Sequence, residues 1–143
     1  MAVVLLPAVK KSAPRGFVRA RVLVVDDEPL IRWSICVALN AAGFDADSAS
    51  TADEARHLAT VGAAPSVVLL DVHPDGQPQP LIDQIRAIAP DSRFLVMTTA
   101  RQTTDTLRGL GDVQIVEKPF DLVNLVSAVR ELARDASHPG DPR

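Results

Sequence analysis

The chain has 143 residues, 47% of them hydrophobic and 23% charged, and its formal net charge at pH 7 is −3. This length suits one domain with a substantial core. No apolar run approaches the roughly 20 residues that cross a bilayer, so no membrane-spanning helix is expected. Residues 1–21 contain five Lys or Arg and no acid, so the remainder carries −8. An acidic domain without a basic stripe is not expected to bind nucleic acid directly.

The N-terminal segment and the single cysteine indicate the domain boundary and the location of the protein. Residues 1–20, which are basic and interrupted by prolines, are predicted to form a flexible N-terminal extension. Cys36 is the only cysteine and cannot form an intrachain disulfide, which suits a cytoplasmic location.

From residue 21 onwards, strand patterns alternate with helix patterns. Five strands are predicted at residues 21–26, 44–49, 66–71, 93–98 and 113–116. Five helices are predicted at residues 29–42, 51–61, 80–88, 103–110 and 121–134. A domain is therefore expected over residues 21–135, followed by a disordered tail over residues 136–143.

Helix boundaries have their own sequence signals. Pro29 suits the first position of the first helix, and Gly43 suits its stop. Thr51 and Glu54 form a capping-box pattern for the second helix. Asp121 is the expected N-cap of the last helix.

The first helix carries two neighbouring apolar stripes. One stripe contains Ile31 and Ile35, and the other contains Leu30, Trp33 and Val37. Such a broad apolar face predicts that this side of the helix docks closely on a sheet.

The strand patterns indicate a parallel sheet. Residues 67–70 (Val-Val-Leu-Leu) form an uninterrupted apolar run, as in a strand buried on both faces. Alternation of strands and helices implies an α/β, flavodoxin-like three-layer sandwich with right-handed crossovers. The doubly wound order 2-1-3-4-5 fits five strands and places the first and third strands side by side.

Acidic residues follow the two strands that this order makes neighbours. Asp26 and Asp27 end the first strand, and Asp71 ends the third. Three carboxylates this close repel one another unless a proton or a cation neutralises them, and Mg²⁺ prefers such hard oxygen ligands. The sequence therefore predicts a magnesium site. In the alternative interpretation, Asp26 and Asp27 only cap the following helix and interact with its dipole, which does not involve Asp71.

Two further polar residues are predicted at the same edge of the sheet. Lys118 follows the last strand, and its ammonium group can neutralise a carboxylate or bind a phosphoryl oxygen. Thr99 follows the fourth strand and precedes the small Ala100, although Thr98 is an alternative in a shifted register. Together with the carboxylates, these groups predict a site that binds a dianion through a metal, an ammonium and a hydroxyl.

Four short motifs occur in order along the chain. They are Val24-Val25-Asp26-Asp27-Glu28-Pro29, then Leu70-Asp71 with Pro74 and Gly76, then Thr99-Ala100, then Lys118-Pro119-Phe120. Each motif is weak alone, but the ordered set resembles the receiver domain of two-component response regulators, a likeness that covers about residues 20–135. Residues 30–34 (Leu-Ile-Arg-Trp-Ser) look most like receivers of nitrogen-regulation-type enhancer-binding activators.

The resemblance implies a role for each motif. Asp71 would accept a phosphoryl group from a phosphohistidine of a sensor histidine kinase. The protein would not be an enzyme beyond slow self-catalysed phosphotransfer and dephosphorylation. Mg²⁺ would be bound directly by Asp27 and Asp71, through water by Asp26, and by the backbone carbonyl of His73. Thr99 and Lys118 would bind the phosphoryl oxygens. The peptide between Lys118 and Pro119 would be cis.

The same resemblance implies how a signal would leave the domain. Phosphorylation would switch a protein-interaction surface made by the predicted fourth helix, fifth strand and fifth helix, which is also a possible homodimer face. The output domain or protein target is expected to lie outside this chain, with no direct contact to nucleic acid or membrane.

Two departures from the family pattern keep alternatives open. Pro74 lies three residues after Asp71, one fewer than is usual, and Ile115 stands where an aromatic residue is usual. A pseudo-receiver that acts as a phosphorylation-independent interaction module is the alternative. A haloacid-dehalogenase-type phosphohydrolase fits less well, because it needs two Asp separated by one residue and Glu28 stands two positions after Asp26.

Overall fold

The computed structural model describes residues 19–72, 77–99 and 109–137, with side chains up to residue 134. Its strands are β1 (Arg21–Val25), β2 (Asp45–Ala49), β3 (Val67–Asp71), β4 (Arg93–Thr99) and β5 (Val113–Lys118). Its helices are α1 (Pro29–Ala41), α2 (Ala52–Thr60), α3 (Gln79–Ile88) and α4 (Leu122–Ser137), of which α4 corresponds to the fifth predicted helix.

The five strands form one parallel sheet in the order β2-β1-β3-β4-β5. This order confirms the predicted doubly wound, flavodoxin-like fold. It makes β1 and β3 neighbours, with Val25 of β1 opposite Leu70 of β3. Residues that follow these two positions therefore meet at the carboxyl edge of the sheet, where open α/β sheets bind their ligands.

Helices cover both faces of the sheet because alternate strand residues point to opposite sides. On one face, Leu23 and Val68 pack with Ile82 and Ile85 of α3. The other face has its own cluster, which contains Val24, Leu69, Ile35, Leu39, Leu125 and Val129 from the strands, α1 and α4. The sheet is thus the middle layer of a three-layer sandwich, as predicted.

Helix α1 buries one of its two apolar stripes and exposes most of the other. Ile35 and Leu39 are fully buried. Leu30 and Trp33 are 69% and 51% exposed, so the prediction that both stripes dock on the sheet is wrong. The reason is geometric: Trp33 lies about 200° around the helix from Ile35, at 3.6 residues per turn.

The N-caps predicted for the second and the last helix are both present. Thr51 Oγ1 accepts a hydrogen bond from the Glu54 N–H at 3.1 Å, while Glu54 Oε1 accepts from the Ser50 N–H at 2.8 Å. The reciprocal bond of the capping box thus falls one residue before the cap. At the start of α4, Asp121 Oδ1 accepts from the Asn124 N–H at 2.8 Å.

Two strands extend further than their apolar runs predict. β4 ends at Thr99 and β5 at Lys118, one and two residues beyond the predictions. The cause is backbone pairing, which aligns Thr98 with Glu117 and Thr99 with Lys118 whatever their side chains. The extension carries Thr99 and Lys118 to the carboxyl edge of the sheet.

Several predicted segments lie outside the described residues: the extension up to residue 18, the loop at residues 73–76, residues 103–108 of the fourth predicted helix, and the tail from residue 138. Within the described ranges, no helix has both the length and the apolar character needed to span a membrane.

Arg21 connects the start of β1 to the end of α2. Its side chain is only 11% exposed. Its Nε donates to Asp47 of β2 at 3.1 Å, and its guanidinium donates to the carbonyls of Leu58 at 2.8 Å, Val61 at 2.7 Å and Ala63. Carbonyls at a helix C-terminus lack partners within the helix, so this arginine caps α2 and holds it against the sheet.

We expect the Arg21→Met variant to lose about 3 kcal/mol of unfolding free energy, because hydrogen bonds to a charged group contribute roughly 1.5–3 kcal/mol. Arg93→Met is the matched control, since Arg93 pairs with the exposed Asp112 at 3.1 Å and exposed pairs contribute roughly 0–1 kcal/mol. Urea denaturation measures both losses. Equal losses in the two variants would show that Arg21 does not cap α2.

Candidate functional site

Three carboxylates converge at the carboxyl edge of β1 and β3. Each of Asp26, Asp27 and Asp71 offers one oxygen, and these oxygens lie within 4.8 Å of one another. Asp26 is buried and Asp27 is exposed to solvent, while Asp71 is partly exposed when its backbone is included. The predicted acidic cluster is therefore formed, with its deepest member closed off from water and its outermost member facing solvent.

Asp26 holds one carboxylate oxygen in a turn and leaves the other without a partner. Its Oδ1 accepts from the Glu28 N–H at 2.9 Å, which shapes the turn between β1 and α1. Its Oδ2 is buried and has no hydrogen-bond partner among the described residues. A buried oxygen of this kind costs free energy unless a ligand satisfies it.

The surroundings of Asp26 favour its protonated form. Burial raises the pKa of the Asp26 carboxyl above its ordinary value, and the charges of Asp71 and Asp27 act in the same direction. The Glu28 N–H and the Lys118 ammonium lower the pKa, but by less than these effects raise it. In the absence of a cation, ionised Asp26 therefore destabilises the folded protein.

Among the described residues, Lys118 provides the positive charge nearest to Asp71. Its Nζ donates to Asp71 Oδ1 at 2.5 Å, and the Asp71 side chain is only 7% exposed. Lys118 ends β5, two strands away from Asp71 in the sheet, so its extended side chain crosses the carboxyl end of β4. The peptide between Lys118 and Pro119 is cis, as the resemblance implies.

The two threonines at the end of β4 differ in position. Thr98 is buried, and its hydroxyl donates to the Thr99 carbonyl at 3.3 Å. Thr99 is exposed and lies opposite Lys118 in the strand register. This register favours Thr99 as the residue whose hydroxyl serves the site, and that role stays a prediction.

A cleft of about 200 Å³ opens beside the acidic cluster. The three aspartates form part of its wall. Val25 of β1 and Leu70 of β3 also line the cleft, and the segments after β2 and β3 contribute Ser50, Thr51, Ala52, Val72, Pro78 and Leu81. These residues were not predicted as part of the site. The only available signal was their place after strands that end at the same edge of the sheet.

Two features named from the sequence lie outside the site as described. His73, whose carbonyl was predicted to bind the metal, lies outside the described residues. Ile115, at the usual aromatic position, is 45% exposed on β5.

The described residues fit a divalent cation. They offer three carboxylate oxygens close together, and Asp26 has a buried oxygen, Oδ2, without a hydrogen-bond partner among them. Hard oxygen donors in small number, with one ligand open to solvent, suit Mg²⁺, which keeps several waters in its shell. Asp26, Asp27 and Asp71 are thus able to hold the ion.

Comparison with known proteins gives a consistent result. The family model described as the response regulator receiver domain matches residues 22–130. The DNA-binding response regulator MtrA of Mycolicibacterium smegmatis is 36% identical over 129 residues, which cover 86% of this chain and 55% of MtrA. A receiver domain from Methanospirillum hungatei has the same fold, with a TM-score of 0.76 at 20% identity over 86% of this chain and all of that one.

Regulators of the predicted nitrogen-regulation type are among the relatives, at lower sequence identity than MtrA. The regulator NtrC of Rhizobium meliloti is 31% identical over 123 residues, which cover 84% of this chain and 25% of NtrC. The chain spans about half the length of the first curated relatives that it matches.

The raised pKa of Asp26 predicts how stability depends on pH in the metal-free protein. A carboxyl whose pKa is higher in the folded state stabilises at pH values below its unfolded pKa, and this contribution is lost as pH rises through the folded pKa. In EDTA at about pH 7, the Asp26→Asn variant should therefore have a higher unfolding free energy than the parent, and the difference should shrink as pH falls.

Denaturation by urea across the acid and neutral range measures this difference. Asp83→Asn, at an exposed position of α3, is the matched control and should follow the parent at every pH. A difference between Asp26→Asn and the parent that does not change with pH would contradict the account of Asp26.

Proposed function

Because the chain belongs to the response-regulator receiver domain family, we propose that it is a phosphoacceptor domain in which Asp71 takes a phosphoryl group from a phosphohistidine of a sensor histidine kinase. The observation that carries this proposal is the arrangement around Asp71. Its carboxylate is nearly buried, its Oδ1 lies 2.5 Å from the Lys118 ammonium, and two further carboxylates adjoin it.

The proposed reaction moves the phosphoryl group from nitrogen to oxygen. A carboxylate oxygen of Asp71 attacks the phosphorus atom, the bond to the imidazole nitrogen of the kinase histidine breaks, and that nitrogen keeps the electron pair. Lys118 then exchanges its partner, from Asp71 Oδ1 to a phosphoryl oxygen, which is a charge-assisted hydrogen bond of the same kind. We assign the Thr99 hydroxyl to a second phosphoryl oxygen.

Charge explains why the reaction would depend on magnesium. The ionised carboxylates of Asp26, Asp27 and Asp71 outweigh the single positive charge of Lys118, and an incoming phosphoryl group adds further negative charge. Mg²⁺ held by these three carboxylates would neutralise charge on the phosphoryl oxygens. The backbone carbonyl of His73 is proposed as a further ligand.

The proposed role is that of a signalling domain, not of a turnover enzyme. Asp71 is consumed as the acceptor, and any self-catalysed transfer or dephosphorylation would be slow. The proposed location of this phosphotransfer is the cytoplasm, where Cys36, the single cysteine of the sequence, would stay reduced. The relative MtrA is described as DNA-binding, and a separate output domain or protein target would carry out the response.

The pseudo-receiver remains the second candidate. Receivers usually carry an aromatic residue at the position of Ile115, and the aromatic side chain reports phosphorylation to the surface. Ile115 is exposed and has no aromatic ring, so this read-out would be missing, which favours the pseudo-receiver. In this case the domain would bind its partners without phosphorylation.

The Asp71→Asn variant should take up no phosphoryl group from acetyl phosphate and Mg²⁺, because an amide oxygen is too weak a nucleophile. A Phos-tag gel measures the modified fraction. The Asp83→Asn variant should be modified to the same extent as the parent, and EDTA should abolish modification of both. Equal modification of Asp71→Asn and the parent would contradict the proposed acceptor, and no modification of the parent would favour the pseudo-receiver.

We further propose that phosphorylation switches a surface made by residues 103–110, β5 and α4, which is also the proposed homodimer face. Thr99 and Lys118 are paired in the strand register, so a shift of either towards a phosphoryl oxygen acts at the ends of β4 and β5. Ile115 and Val123 are exposed on this side and offer apolar contact area to a partner.

Phosphorylation should change amide hydrogen exchange in residues 103–110 more than in α1 (Pro29–Ala41). The segment contains Thr103, Thr104, Thr106 and Gly109, which are poor helix formers and cost little to rearrange. Mass spectrometry of the parent with and without beryllofluoride, a phosphoryl mimic, measures the exchange. Equal changes in both segments would reject the proposed switch surface.

A further inference from the structure

Arg32 links helix α1 to the loop that carries two of the predicted metal ligands. Its backbone N–H donates to the Glu28 carbonyl at 3.0 Å, as in the first turn of a helix. Its side chain turns back, and Nη1 donates to the Asp26 carbonyl at 2.7 Å. The loop between β1 and α1 is therefore closed by a side chain of the helix that follows it.

This bond completes the hydrogen bonding of Asp26 within the protein, except at one atom. The Asp26 N–H donates to the Ala49 carbonyl of β2 at 3.1 Å. Its carbonyl accepts from Arg32, and its Oδ1 accepts from the Glu28 N–H. Only Oδ2 has no hydrogen-bond partner among the described residues. Residue Asp26 is thus held from three sides, and Oδ2 is the oxygen available to a ligand.

The Arg32 contact also acts on Asp27. The peptide group is planar, so a bond that fixes the Asp26 carbonyl also fixes the direction of the Asp27 N–H and the place from which the Asp27 side chain starts. We propose that Arg32 is a positioning residue for the metal site, which orients the peptide between Asp26 and Asp27. This inference rests on the proposed function, because it takes the acidic cluster to be the site for Mg²⁺.

An electrostatic role and a positioning role predict opposite results for Arg32. A positive charge near three carboxylates repels Mg²⁺, so loss of that charge by itself would tighten Mg²⁺ binding. Loss of a group that orients metal ligands weakens metal binding, typically by roughly 10–100-fold. The sign of the change in affinity therefore identifies the role.

The experiment is isothermal titration of MgCl₂ into the parent, Arg32→Met and Arg130→Met. Arg130 is the matched control: its Nη2 donates to the Ala42 carbonyl at 3.3 Å, so it makes the same kind of bond just beyond the opposite end of α1. We expect the Mg²⁺ dissociation constant to rise about tenfold in Arg32→Met and to stay at the parent value in Arg130→Met.

Arg32→Lys is the second variant, in case Arg32→Met does not fold as judged by circular dichroism. It keeps the charge but offers a shorter donor without the planar fork, and it too should bind Mg²⁺ more weakly than the parent. Parent-like or tighter binding in the folded Arg32 variant overturns the inference alone. Absence of Mg²⁺ binding by the parent overturns it together with the metal-dependent function.

Discussion

The candidate site depends on mutual repulsion among three carboxylates that the sheet forces together. Asp71 is nearly buried, and its one direct positive partner in the described part of the chain is Lys118, at 2.5 Å. Asp26 is buried with one unpaired oxygen, and burial and its acidic neighbours raise its pKa. Such an arrangement is costly for a protein alone but is suited to a cation and to a phosphoryl group, because each supplies what the folded chain lacks. The cost in stability is thus tied to the capacity for binding.

The fold maintains this arrangement through rigid connections at the carboxyl edge. β1 and β3 are paired up to Val25 and Leu70, so the sheet keeps the backbones of the next residues, Asp26 and Asp71, close together. β5 lies two strands away and ends in Lys118, which reaches back to Asp71 across β4. Any change in the charge of Asp71 therefore acts directly on Lys118 at the end of β5. In the proposed function this coupling would be the physical basis for a switch, since a single new dianion would redirect Lys118 and relax its present contact.

Much of this could be predicted from the sequence, and the limits have physical causes. The apolar run at residues 67–70 and the alternation of strands and helices sufficed for the sheet order, and the order placed Asp26 beside Asp71. The exposure of Trp33 was missed because apolar stripes show where a helix can be buried, not which stripe the sheet contacts. The bonds of Arg21 and Arg32 were missed because long arginine side chains reach distant carbonyls without any periodic signal. The cleft wall at Ser50 and Leu81 depends on how three loops pack, which local patterns do not encode.

A crystal structure with Mg²⁺ and beryllofluoride tests the central claim most directly. The account predicts oxygens of Asp27 and Asp71 at about 2.0–2.1 Å from the ion and Asp26 in contact with the ion through water. It also predicts beryllofluoride bonded to Asp71, and Lys118 Nζ moved from Asp71 to a fluorine atom. An acidic cluster that remains without metal, or a Lys118 that keeps its bond to an unmodified Asp71, would contradict it.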